Sequence, residues 1–361
     1  MNKRIIRLII ISVTLIVSFM TLTSCSKKNE KVEDIIKIDD KVTVVDDKEP
    51  DKEEDSEIVE NDDLNKAKSK LDGLKYNEEL LNNRPIVVVI DNHPKARWQA
   101  GISEAEIVYE VEAEAPFTRY LAVFQTKEPE RIGPVRSARP YMIYLALNHN
   151  SIFAHVGGSD DAFIKLKALS IADIDGLYTS NMWRYNQTKK YAPHNLYTDI
   201  KNLREFADAK GYKKDVEYNG FNFNDEDTEL KSENLAENIK ITYNKSNTTE
   251  YKYDKETKLY TRYKDGEKHL DENNNVVITA KNIIIYTVDK KTLDNEGRLQ
   301  LGVIGKGTGK YITNGKSIDI TWSKESEKSS TVFKVGDEEL KLNPGNTWIQ
   351  IINKNTDVTG E

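Results

Sequence analysis

Cysteine is nearly missing from this chain: of 361 residues, only Cys25 carries a thiol. That excludes an intrachain disulfide, so the fold must rest on its core. Long apolar runs are missing beyond the first 20 residues or so, and with them any membrane-length segment there. There is no G-x-G-x-x-G, no Walker A sequence and no G-x-S-x-G elbow. Those absences remove the sequence signs of a dinucleotide site, a P-loop and an α/β-hydrolase nucleophile. The five histidines include no i,i+4 pair with metal-ligand spacing, so no metal and no cofactor is expected. Basic charge is outnumbered, with a formal net charge of -7, which argues against a general nucleic-acid binder. What is present is enough to fold. Hydrophobic residues make up 38% of the chain, with 18 Tyr and 9 Phe, and the length allows two domains.

The N-terminus reads as an export signal. Lys3, Arg4 and Arg7 are its basic region, and residues 8–20 are an apolar stretch too short for a stable span. Leu22-Thr23-Ser24-Cys25 is similar to a bacterial lipobox. That similarity implies diacylglycerol transfer to Cys25, cleavage before it, and a membrane partner held through acyl chains of the palmitate class. The expected place is the outer side of a cell membrane. The abundance of Lys, Asn and Ile suggests a low-GC bacterium with a one-membrane envelope. Residues 25–75 read as an acidic, disordered tether, because such a segment buries too little apolar area to offset its ordering entropy. Residues 42–45 are a short apolar run within it.

Residues 76–218 read as an α/β or α+β domain. PIVVVI at 85–90 is a buried-looking strand ending at Asp91-Asn92-His93-Pro94. Ser103 and Glu106 suggest a capping box. Residues 107–113 and 117–125 read as strands paired across Ala115-Pro116. The densest stretch is RIGPVRSARPYMIYLALNHNSIFAHVGGSDD at 131–161. It places Arg131, Arg136 and Arg139 ahead of a helix near 141–148, with Ser137 as expected N-cap. Cations there oppose the helix dipole, so an anion is expected between them. It is either a ligand or the chain's own Glu110, Glu112 or Glu114. SIFAHV at 151–156 is the next strand, followed by the turn Gly157-Gly158 and Ser159 as cap of a helix from Asp160 to about 169. A strand, a Gly turn and a capped helix are how α/β folds present ligands. Residues 183–197 form a long aromatic loop carrying His194 and Asn195. Thr198 is the expected cap of the next helix.

These stretches carry a resemblance. IDNHPKAR from Ile90, RIGPVRSARPY from Arg131, AHVGGSD from Ala154 and APHNLYT from Ala192 resemble the YerB-like lipoproteins. NPGNTWIQI from Asn343 does so too. This is a bacterial envelope family of unknown function with paired N- and C-terminal domains, and the likeness covers nearly everything after about residue 80. It implies an address and a two-domain layout, and supplies no mechanism.

After a connector at 219–238, residues 239–361 read as an antiparallel all-β domain. Short alternating strands are separated by turn signals, of which Asn314-Gly315 indicates a type I′ hairpin. Gly305, Gly307 and Gly309 lie between strands rather than before a helix, so a turn or bulge is expected. Trp322 and Trp348 read as core. Three functional classes stand open. The first is binding of an anionic envelope polymer through an arginine-rich site made of Arg97, Arg131, Arg136 and Arg139, with Gly157, Gly158, Ser159, His194 and Asn195. Arginine forks suit phosphate and carboxylate, and the C-terminal half holds only Arg262 and Arg298. The second is an envelope hydrolase or transferase using His155 or His194 as acid/base, with Asp160 a further catalytic candidate. The third is a protein-binding scaffold.

Overall fold

The computed structural model describes residues 65–360 apart from Ala115. The lipobox, Cys25 and the apolar run at 42–45 lie outside the described residues. Strands dominate. In the first half they are β1 (Ile86–Asp91), β2 (Ile107–Glu112), β3 (Thr118–Phe124), β4 (Ile152–His155) and β5 (Asp173–Asp175). The helices of seven or more residues that accompany them are α1 (Pro140–Ala146), α2 (Asp160–Leu169) and α3 (Ile200–Ala209). In the second half the main strands are β6 (Asn238–Asn244), β7 (Asn247–Asp254), β8 (Leu259–Lys264) and β9 (Asn282–Val288). They continue with β10 (Gly305–Thr313), β11 (Lys316–Lys324), β12 (Val332–Val335), β13 (Glu338–Glu339), β14 (Thr347–Asn353) and β15 (Asp357–Gly360).

The two halves share one sheet. Its eleven strands run β13-β12-β11-β10-β9-β14-β2-β3-β1-β4-β5. The joint is β14, which lies parallel to β9 on one side and parallel to β2 on the other. Trp348 sits opposite Val108 and Ile349 opposite Tyr109. The second half is therefore all strand, yet not purely antiparallel as its turns suggested. Strand periodicity shows which residues point inward, but not which partner a strand chooses.

Both faces of the joint sheet are covered. All six residues of β1 are buried, the continuous apolar pattern of a strand packed on two sides. Val87 and Val89 join α1 and α2 in one core, through Met142, Ile143, Leu145, Ala162 and Leu166. Ile86, Val88 and Ile90 join the other, with Ile200 and Leu203 of α3 and with Ile241, Tyr251 and Tyr260 of a second sheet. That second sheet is built on β8-β7-β6-β15. Trp322 and Trp348 are 3% and 1% exposed, and Trp348 meets Tyr120 edge-on at 5.6 Å.

Between the two sheets lies a buried ionic pair. Glu110 on β2 and Arg262 on β8 are fully buried, with Oε2 and Nη2 2.5 Å apart. Thr118 donates to Glu110 at 2.8 Å, and Arg262 lies over the Trp348 ring at 4.2 Å and hydrogen-bonds His269. His269 in turn meets Gln99 at 2.8 Å, and Gln99 donates to the Asp91 carbonyl at 2.9 Å. Burial alone would raise the Glu110 pKa. The charges of Arg262 and Lys264, with hydrogen bonds from Thr118 and Arg262, outweigh it and hold the carboxyl below its usual range.

Several local expectations change. The folded part begins before residue 76: residues 66–68 pair with 75–77, and Leu71 between them is fully buried. That hairpin lies inside the stretch read as tether, where flanking charges masked one apolar residue. The connector also packs down, since Asn222–Phe223 pairs with Lys341–Leu342. Ser137 does not cap α1. Arg139 occupies the N-cap position without a side-chain bond, and Pro140 follows at N1. Ser103 and Glu106 form no capping box, because residues 102–104 make only a 3₁₀ turn. Glu106 instead accepts from the backbone of Gln125 and Thr126. Asp199, not Thr198, caps α3 through the Asn202 N–H at 2.7 Å. Gly305, Gly307 and Gly309 lie inside β10 rather than in a turn. A Cβ at Gly309 would stand 2.5 Å from the Ile285 carbonyl, and one at Gly307 2.6 Å from Trp322 Nε1. Close neighbours, not chain reversal, account for Gly307 and Gly309, whereas Gly305 has nothing within 4 Å and a φ of 133°. The expected hairpin is present: Asn314 and Gly315 have φ of 51° and 75°, between paired Thr313 and Lys316.

Candidate functional site

β1, β4 and β5 are mutually parallel, so their carboxyl ends share one edge of the sheet. Such ends are where α/β sheets leave room for ligands. The 131–139 segment wedges into this edge. Asp91 N–H donates to Pro134 O at 2.8 Å, Arg136 N–H to Val89 O at 2.8 Å, and Val156 N–H to Arg136 O at 3.0 Å. Arg136 is thus fixed by its backbone where β1 and β4 part.

Asp91, the last residue of β1, gathers the side chains. Its Oδ2 accepts from His194 Nδ1 at 2.7 Å and stands 3.2 Å from Arg136 Nε. Its Oδ1 accepts from the His93 N–H at 2.9 Å. The His93 and His194 rings stack with centroids 4.5 Å apart and planes 19° apart, and His93 also packs on Phe117 at 4.4 Å. The bonds assign opposite tautomers. His194 donates from Nδ1 to a carboxylate, so its Nε2 is the basic nitrogen. His93 Nδ1 accepts from the Lys95 N–H at 3.1 Å, so in the neutral ring Nε2 carries the proton. Burial pushes the His93 pKa down. The His194, Lys95 and Arg136 charges act the same way, against the pull of Asp91. Asn195 braces the loop behind His194, donating to Asn186 at 3.0 Å and accepting from Arg184 Nη1 at 3.1 Å. Arg136 Nη1 and Nη2 make no hydrogen bond among the described residues, and the side chain is 24% exposed.

Two family domains match this chain. The N-terminal and C-terminal domains described as "Protein of unknown function (DUF3048)" match residues 71–213 and 239–349. The Bacillus subtilis (strain 168) protein named "Putative lipoprotein YerB" is 36% identical over 300 residues, covering 81% of this chain and 88% of that one. This chain belongs to the DUF3048 family. The crystal structure of YerB protein from Bacillus subtilis aligns with a TM-score of 0.73 at 35% identity, covering 81% of this chain and 99% of that chain. The family's two domain matches meet in the joint sheet, with β2 in the first and residues 347–349 of β14 in the second.

The family's arginine-rich stretch does not converge on one pocket. Arg97 is held by Asp265 at 2.5 Å and by Asn92. Arg119 and Arg139 share Glu114, with further bonds to the Ser137 and Ala138 carbonyls. Arg131 lies over the Tyr185 ring at 4.2 Å, and its nearest carboxylate is Glu130 at 3.8 Å. Glu114 thus serves as the internal partner of Arg139, whereas Glu110 pairs with Arg262 and Glu112 with Lys290 at 2.8 Å. Only Arg136 and His194 of the expected set meet directly around Asp91. His155 is fully buried, bonded to Gly157 O at 2.9 Å and 3.4 Å from Asp173, with no bond to His194. Gly157 has a φ of 63°, and Ser159 caps α2 through Ala162. Asp160 is exposed in the first turn of α2 and, with Arg139 and Ser159, lines a separate cavity. Among the described residues, no group of three or more His, Cys, Asp or Glu is arranged to hold a metal. Sequence reasoning missed Asp91 as the organiser. Its signal was modest: an acid directly closing an apolar strand, three residues before a proline.

Proposed function

We propose that this chain is a lipid-anchored envelope protein that holds an anionic group of an envelope polymer at Arg136, beside the His93–His194 stack. One observation carries the reading. Arg136 keeps both terminal guanidinium nitrogens free of hydrogen bonds among the described residues, while Arg97, Arg119 and Arg139 are engaged by their own chain. A free, backbone-anchored fork suits bidentate contact with phosphate or carboxylate. The anchor rests on Cys25 in its lipobox-like setting and on a relative named a lipoprotein. No helix among the described residues is long and apolar enough to cross a membrane. Residues 26–64 hold 16 Asp and Glu against seven Lys. With so acidic a segment, recognition of an anionic polymer depends on a local site rather than on net charge.

The test is co-sedimentation of the full chain, in detergent, with purified cell wall that has or lacks its teichoic acid. Mass spectrometry of the supernatant runs alongside. Polymer-dependent sedimentation that falls about tenfold in Arg136→Gln supports the reading; an unchanged Arg136→Gln overturns it. A second reading has its own observation, the 2.7 Å Asp91–His194 bond, which leaves Nε2 oriented as a base. Under that reading, products are released and His194→Ala abolishes their release while sparing sedimentation. Neither sedimentation nor release favours a protein partner.

A further inference from the structure

A second cavity lies away from Arg136. It occupies about 770 Å³ between α1, the first turns of α2 and the hairpin formed by Lys290–Thr292 and Leu299–Leu301. That volume is in the range that encloses a small ligand. Its walls come from both halves of the chain, so neither half forms it alone.

The charges lining it are of both signs, and not all are spent. Arg298 Nε lies 2.5 Å from Asp294 and 3.8 Å from Glu296, while its Nη1 and Nη2 make no hydrogen bond among the described residues. Across the cavity, Asp160 and Asp161 on α2 have no hydrogen bond or salt bridge among the described residues. Lys165 and Glu327 neutralise each other at 2.6 Å. The rim is apolar and uncovered: Ile164, Leu293 and Ile304 are 63%, 47% and 38% exposed. Exposed aliphatic side chains around a charged cavity mark a surface that something covers.

We propose that this cavity binds a short peptide through its free amine and free carboxylate. A simple anion would meet Arg298 but face Asp160 and Asp161. A simple cation would meet the aspartates but face Arg298. A purely apolar ligand would strand both. A zwitterionic peptide satisfies all three features: carboxylate on the Arg298 fork, ammonium between the aspartates, and aliphatic side chains against the rim. Asp160 and Asp161 also offset the half-positive end of α2.

Isothermal titration of the full chain with four tetrapeptides of different central residues tests this. Each peptide is used free, N-acetylated and C-amidated. The free forms bind, and each cap weakens binding about tenfold, the loss of one charge-assisted contact. Arg298→Gln weakens the free peptide to the level of its amide and leaves the amide unchanged. Asp160→Asn combined with Asp161→Asn does the same toward the acetylated form. Thermal melting checks that the variants are folded, and Arg136→Gln leaves peptide binding unchanged, which separates this site from the first. Equal binding by capped and free peptides overturns the proposal, as does the absence of binding by all four at millimolar concentration.

Discussion

Replacing Arg262 by Met tests what joins the two sheets. The guanidinium is fully buried, 2.5 Å from Glu110 and 4.2 Å above Trp348. Removing it leaves Glu110 enclosed, with Lys264 as the nearest remaining cation. Lys264 is itself pushed down to about 8 by burial, against the pull of Glu110. Removing one partner of a buried pair costs about 3–5 kcal/mol, because the other charge is stranded. The expected loss in urea unfolding at pH 7 is therefore about 4 kcal/mol. The pH dependence should also invert. In the native protein the Glu110 pKa is lowered, so its contribution is present above the unfolded value and lost as pH falls through the folded one. In Arg262→Met the unpaired carboxyl has a raised pKa. The variant then binds a proton that the unfolded chain does not, and its stability falls as pH rises from 5 to 8. Glu110→Gln combined with Arg262→Met removes both charges and should recover most of the loss, to within about 1–2 kcal/mol of the native protein. A single-variant loss below about 1 kcal/mol, or a double variant no better than the single, would refute the argument.

Glu106 offers a second pH test. Burial pushes its carboxyl up to about 7, against hydrogen bonds from Thr126 and Gln125. The folded value is raised, so stability declines between about pH 4.5 and 7, and Glu106→Gln should flatten that slope by about 3 kcal/mol of the total change; an unaltered slope by urea titration counts against it. Gly309→Ala places a Cβ 2.5 Å from the Ile285 carbonyl. The clash between β10 and β9 should cost about 1–3 kcal/mol in denaturation, whereas Gly336→Ala, with nothing within 4 Å, should show only the smaller cost of its φ of 60°. Asp91→Asn removes the carboxylate charge beside His194 and Arg136. NMR titration of the His93 ring, which Asp91 pulls up against burial, should then show a pKa lower than in the native protein, and no change would mean that the Asp91–His93 contact does not persist in solution.

Local pattern carried much of the structure. PIVVVI is a strand buried on both faces, Ser159 is a cap, and Asn314-Gly315 is a hairpin turn, because each depends on residues close in sequence. The failures are of another kind. Ser137 and Thr198 were reasonable caps, but neighbouring residues hold those positions. Arg97, Arg131, Arg136 and Arg139 looked like one set. Their separation depends on acids elsewhere in the chain, such as Asp265, which is remote from Arg97 in sequence.

By itself, the sequence determined where many of the strands and turns lie, that no intrachain disulfide holds the fold, and that the segment after Cys25 is strongly acidic. These follow from composition and from spacings of a few residues, where backbone geometry and side-chain period act directly. Tertiary structure alone decided that β14 inserts between β9 and β2, making one sheet of two family domains. It also decided that Arg262 is a buried clamp, that Arg136 Nη1 and Nη2 make no hydrogen bond among the described residues, and that Arg298 and Asp160 line one cavity. Pairing across a sheet and neutralisation of a buried charge are choices among many distant partners. The choice depends on which arrangement fills both faces of the sheet while leaving no buried charge alone.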